Sequence, residues 1–136
     1  MKRSVDVNPK NKFDKYHTSR EHEEGIDLEP DQYEKGTKYI EIFPKTVVNK
    51  VTSPDVGMDY SLNPYQGCEH GCAYCYARNT HQYWGYSAGL DFEQKILVKK
   101  NTAQILEKTI NSRSWEVKPI SLSGNTDCYQ PIERKL

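Results

Sequence analysis

Hydrophobic and polar positions fall into two regimes along this chain. Up to Gly36 the apolar residues Val5, Val7, Phe13, Ile26 and Leu28 are scattered among charged residues, Asn and Pro, with neither a strand nor a helix period. Residues 1–36 therefore read as a charged, disordered or peripheral arm. Its Arg20–Glu24 run sets His22 among carboxylates, and reads as solvated surface. From Lys38 the pattern changes to β-branched and aromatic residues. Tyr39–Phe43 and Val47–Val51 predict two short strands punctuated by Pro44, and Ser53–Gly57 predicts a turn.

Asp59–Asn63 predicts a third strand, after which Pro64, Gly67 and Gly71 keep the chain out of regular structure. Tyr76–Trp84 starts a helix that Gly85 and Gly89 end early, and Gln94–Val98 is an apolar run of strand type. Asn101 and Gln104 form a capping-box pattern ahead of a helix whose Ala103, Leu106 and Ile110 share one face. Ile120–Ser123 predicts a buried strand, and Gly124–Cys128 a polar loop at its carboxyl end, where α/β folds usually place ligands. Strand, loop, helix, strand, polar loop is the order of a parallel α/β unit. A parallel sheet needs helices on both faces, so the 136 residues read as the N-terminal part of a longer protein.

Composition narrows the class. With 136 residues, 35% of them hydrophobic, the chain accommodates one modest domain. Nineteen Lys and Arg balance nineteen Asp and Glu, so no charge surplus points to nucleic acid or an anionic membrane. There is no apolar run of about eighteen residues and no hydrophobic segment behind Lys2 and Arg3, which predicts a soluble cytoplasmic protein without a membrane span or secretory signal. In that compartment the four cysteines stay reduced.

Three of those cysteines, Cys68, Cys72 and Cys75, form a C-x3-C-x2-C array, which suits thiolate ligation of one inorganic centre better than crosslinking. Two centres are compatible with it. Three thiolates leave a cubane iron-sulfur cluster with one iron open to an outside ligand. A structural zinc site needs a fourth protein ligand, and His70 or Cys128 is available.

The array, with Tyr74 just before its last cysteine, resembles the signature of radical S-adenosylmethionine enzymes. The wider text is similar to the branch related to spore photoproduct lyase: Asn63–Cys72, Tyr83–Glu93 and Leu122–Pro131. The resemblance spans residues 37–136 and implies the N-terminal part of a partial (β/α)6 TIM-like barrel, an α/β fold. It implies a [4Fe-4S] cluster on Cys68, Cys72 and Cys75, and S-adenosylmethionine on the open iron. Reductive cleavage would give a 5'-deoxyadenosyl radical for hydrogen abstraction in a lyase-like reaction. It further implies a one-electron donor such as flavodoxin or ferredoxin, and a substrate for which nucleic acid is one candidate. Tyr74 would lie against adenine. Ser123, Gly124, Asn125, Thr126 and Asp127 stand where many members carry a Gly-Gly-Glu type motif for the methionyl amino group; those letters are absent here. Cys128 is the candidate hydrogen-atom donor, displaced from the lyase's cysteine, with a buried structural thiol as its other reading. Beside the enzyme stand two further readings: a zinc-binding interaction module, and a remnant that binds a cluster without turnover.

Overall fold

A computed structural model describes Val5, residues 7–15 and residues 36–136. Most of the expected arm, including the Arg20–Glu24 run and His22, lies outside the described residues. The strand-type runs become β1 (Lys38–Ile42), β2 (Val48–Lys50), β3 (Tyr60–Leu62), β5 (Lys95–Lys99) and β6 (Ile120–Leu122). Between them lie β4 (Tyr65–Gln66), a 3-10 helix (Tyr76–Trp84), α1 (Leu90–Gln94) and α2 (Thr102–Ile110), with a second 3-10 helix at Pro131–Lys135. Strand β4 is too short to show a period in sequence, and α1 is one turn long.

The strands form two three-stranded sheets, ordered β1-β5-β4 and β2-β3-β6. In the first, β1 runs parallel to β5 and β4 antiparallel to it; in the second, β3 runs parallel to β6 and β2 antiparallel to it. This overturns the expected partial (β/α)6 barrel: the chain is a small, mixed, sheet-rich domain with few helices. The physical reason is strand pairing. A barrel of that kind needs consecutive parallel strands in one curling sheet, but β5, which follows the cysteine loop, joins β1 rather than β3. The helix expected to cover the sheet, α2, buries none of its residues.

One core cluster joins Tyr65, Ile96 and Val98 to half-buried Tyr39 and Ile132; the other joins Cys68, Ala77 and Phe92 to Cys75. Full burial of a side chain such as Phe92 or Ile96 contributes roughly 1.5–3 kcal/mol. Helix α2 also starts differently from its sequence pattern. Asn101 makes no side-chain cap; its Nδ2 donates to Pro44 O at 3.1 Å, while Thr102 Oγ1 donates to Lys99 O at 2.6 Å. Asn101 thus ties the helix start to the β1–β2 connection.

Residues 7–15 lie against the body. Asn8 exchanges hydrogen bonds with Asp91, through Nδ2 to Oδ1 at 3.0 Å and from Asp91 N to its own Oδ1 at 2.8 Å. Asn11 Nδ2 donates to the carbonyls of Gln82 and Tyr86. A side chain at Gly89 would stand 2.1 Å from Val7 O, so only glycine lets this segment through.

His81 is fully buried, 5.2 Å from the Tyr86 ring and edge-on to Phe92 at 5.6 Å. Neither ring nitrogen has a hydrogen-bond partner among the described residues. Burial drives its pKa down to about 4, with Lys95 adding to the effect and Asp91 opposing it. A lowered histidine pKa means that the unfolded chain takes up the proton first. The stability from neutral His81 is therefore complete above about pH 6.5 and is lost as pH falls towards 4. We expect unfolding free energy to drop by up to about 3 kcal/mol across that window, and His81→Phe to remove that component, as read by urea denaturation at a series of pH values.

Candidate functional site at the cysteine loop

Parallel pairing of β3 with β6, in register Tyr60 to Ile120 and Leu62 to Leu122, ends both strands at one level. Asn63 and Ser123 therefore leave the sheet side by side. Ser123 N donates to Leu62 O at 2.9 Å, and Asn125 N to Asn63 Oδ1 at 3.0 Å. Thr126 Oγ1 donates to Tyr65 O at 3.1 Å. The structure thus brings the loop after β6 onto the cysteine loop, two segments about fifty residues apart in the chain.

Gln130 fastens them. Its buried carboxamide donates through Nε2 to Gly67 O at 2.9 Å and accepts from Glu69 N at 3.1 Å, so it grips the chain on both sides of Cys68. His70 Nε2 lies 3.1 Å from Asp127 Oδ2, and the Tyr76 hydroxyl donates to Gly124 O. Burial pushes the Cys68 thiol pKa up, while backbone N–H groups of Asp127, His70 and Gly71 act against it by hydrogen bonding to the sulfur. Burial outweighs those donors and the Asp127 carboxylate adds to it, so the thiol stays above its ordinary pKa.

The cysteine loop is a chain of tight turns: Gly71 N donates to Cys68 O, Cys75 N to Cys72 O and Arg78 N to Cys75 O. Its glycines are required by geometry. Gly71 has φ +61°, and a Cβ there would stand 2.6 Å from the Glu93 carboxyl; Gly67 has φ +82°. Arg78 closes the loop from behind. Its Nε donates to Cys72 O at 3.0 Å, Nη2 to Gly71 O at 2.9 Å and to Glu93 Oε1 at 2.5 Å, and Nη1 to Ala88 O at 3.3 Å and Gly89 O at 3.0 Å.

All four cysteines are free thiols, with Cys68 buried and Cys72 and Cys75 half-buried. Among the described residues no three His, Cys, Asp or Glu side chains are gathered to hold a metal ion. Tyr74 is 90% exposed, and a hydrogen bond to the Cys72 thiol raises its pKa. Cys128 stands in the wall of a cavity of about 510 Å3 with Leu62, Val98, Leu106 and Leu122. His70 is taken up by Asp127. Ser123 is the strained member of the set. It has φ +67°, a conformation that costs a non-glycine residue about 1–3 kcal/mol, and its Oγ is buried without a hydrogen-bond partner among the described residues. The loop therefore carries three reduced cysteines, the donor type that thiolate-bound clusters use, but their side chains are not gathered about one point.

Sequence spacing found the cysteines and the loop after β6. It missed Arg78, Glu93 and Gln130 as site residues, because a buried polar side chain carries no periodic signal. The one available hint was that Glu93 and Gln130 lie within two of the segments quoted for the resemblance.

No family model matches the chain, and no solved structure matches it. Relatives are found among bacterial and archaeal proteins. The chain is 37% identical over 99 residues to an uncharacterized protein of Mycobacterium tuberculosis, Rv2578c, a match covering 72% of this chain and 29% of the relative. An uncharacterized protein of Mycobacterium bovis, Mb2609c, matches to the same extent. The chain is 31% identical over 96 residues to an uncharacterized protein of Methanocaldococcus jannaschii, MJ0683, covering 70% of this chain and 33% of the relative. The chain spans about a third or less of the curated relatives it matches. None of these names carries an activity.

Gln130→Leu removes both bonds around Cys68 and leaves a buried carbonyl and N–H unpaired. We expect it to cost about 2–4 kcal/mol of unfolding free energy, measured by urea denaturation of the metal-free protein. Gly71→Ala should cost at least as much, since it combines a left-handed backbone with a clash at Glu93.

Proposed function

We propose that this chain is the cluster-binding part of a radical S-adenosylmethionine enzyme, similar to the spore photoproduct lyase branch. The observation that carries the reading is the reduced C-x3-C-x2-C loop held by Gln130 on both sides of Cys68. Cys68, Cys72 and Cys75 would hold a [4Fe-4S] cluster, and the fourth iron would remain for S-adenosylmethionine. When bound, these groups supply one-electron reductive cleavage of the sulfonium and hydrogen-atom abstraction from a substrate.

The chain's own residues do the rest. Backbone N–H groups of Asp127, His70 and Gly71 offset only part of the burial that keeps Cys68 protonated, so ligation would have to displace that proton. Thr126 and Asp127 are occupied by Tyr65 and His70, so of the polar side chains after β6 we assign Ser123 and Asn125 to the methionyl group. Exposed Tyr74 offers a free ring face to adenine. A one-electron donor such as flavodoxin or ferredoxin is the partner, and substrate recognition belongs to the whole protein. No helix among the described residues is long and apolar enough to cross a membrane.

Anaerobic reconstitution with iron and sulfide should give a brown protein with a cubane-type electron paramagnetic resonance signal on reduction, perturbed by S-adenosylmethionine. Ala at Cys68, Cys72 or Cys75 should abolish the signal, and Cys128→Ser should retain it. One tightly held zinc, lost in Cys128→Ser, would overturn this reading in favour of a zinc-binding interaction module.

A further inference from the structure

Arg78 uses every donor it has. Five N–H groups meet five acceptors: the carbonyls of Gly71 and Cys72 in the cysteine loop, those of Ala88 and Gly89 ahead of α1, and the carboxylate of Glu93. Its side chain is 9% exposed and that of Glu93 1%, and the guanidinium also sits 5.2 Å from the Phe92 ring centre. A fully satisfied fork across two chain segments fixes the planes of the peptides it touches. The carbonyls of Gly71 and Cys72 face Arg78, so the N–H groups of Cys72 and Ala73 across those trans peptide bonds point the other way.

We propose that Arg78 is the positioning residue of the cysteine loop: it shapes the loop before any metal arrives and, paired with Glu93, makes the ground beneath a bound cluster electrically neutral. The first part stands on the metal-free geometry, and the second rests on the cluster reading above. Lysine cannot replace this fork, because a point ammonium with three donors reaches neither both loop carbonyls nor both carbonyls ahead of α1 at once. Glutamine at position 93 keeps the hydrogen bond to Arg78 but removes the counter-charge, leaving a cation one peptide from Cys72. That cation stabilises an added electron on an anionic centre, which raises its reduction potential.

Two measurements test the two parts. In the metal-free protein, thiol alkylation of Cys72 and Cys75 is timed against Cys128 as internal reference. Arg78→Lys should speed the first two about threefold to tenfold while Cys128 is unchanged; equal rates in wild type and variant would overturn the shaping role. If Arg78→Lys does not fold, Arg78→Gln, which keeps neutral donors but loses the fork, carries the same measurement: acceleration at Cys72 and Cys75 is expected, and rates equal to wild type would overturn the shaping role. In the reconstituted protein, Glu93→Gln should move the midpoint potential to more positive values, and the double variant Arg78→Met with Glu93→Gln should return it towards wild type. An unchanged potential in Glu93→Gln, with the wild-type cluster intact, would overturn the electrostatic role. A wild type that takes up no cluster would instead sink the functional reading, and the alkylation result would stand apart from it.

Discussion

The site depends on one piece of backbone pairing, the parallel ladder between β3 and β6. Three residue pairs set its register, and because they end at Leu62 and Leu122 the two following loops emerge together. A parallel pair cannot be closed by a tight turn, so the chain between these strands must travel out and return. Here that excursion contains the cysteine loop, α1, β5 and α2. Slipping the register by one residue would turn every side chain over and separate Asn63 from Asn125.

Beyond the strand ends the loop is held by side chains that do the work of secondary structure. Residues 67–75 form no strand or α-helix, so their peptide groups need other partners. Gln130 takes two of them and Arg78 two more. Such buried polar contacts add modest net stability when complete, yet leave costly orphans when one partner is removed. This asymmetry explains why so many polar side chains sit deep in a domain with two small apolar clusters.

Exposure is distributed unevenly around this framework. Cys68 is buried, whereas Cys72, Cys75 and Tyr74 line the more accessible side of the loop. Ser123 is the place where the framework leaves a polar atom unpaired and a backbone angle strained. Strain of this kind persists only where surrounding contacts over-determine it, and the bonds of Ser123, Asn125 and Thr126 to β3 and its continuation do that.

The amino-acid sequence alone determined the strands β1, β2, β3, β5 and β6, the glycines of the loop and the spacing of the three cysteines, since each depends on neighbours in the chain. It also marked the segment after β6 as polar and loop-forming. It did not determine which strands pair. The expected barrel failed because β5 has the same apolar run whether it joins β3 or β1, and that choice belongs to contacts between distant segments. Asn101 illustrates the same limit: its text reads as a helix cap, but a carbonyl from the β1–β2 connection captures the side chain. Arg78, Glu93 and Gln130 look like surface residues in sequence. Only the folded chain closes water out around them, and a charge or carboxamide becomes structural once its partners are fixed in space rather than supplied by solvent.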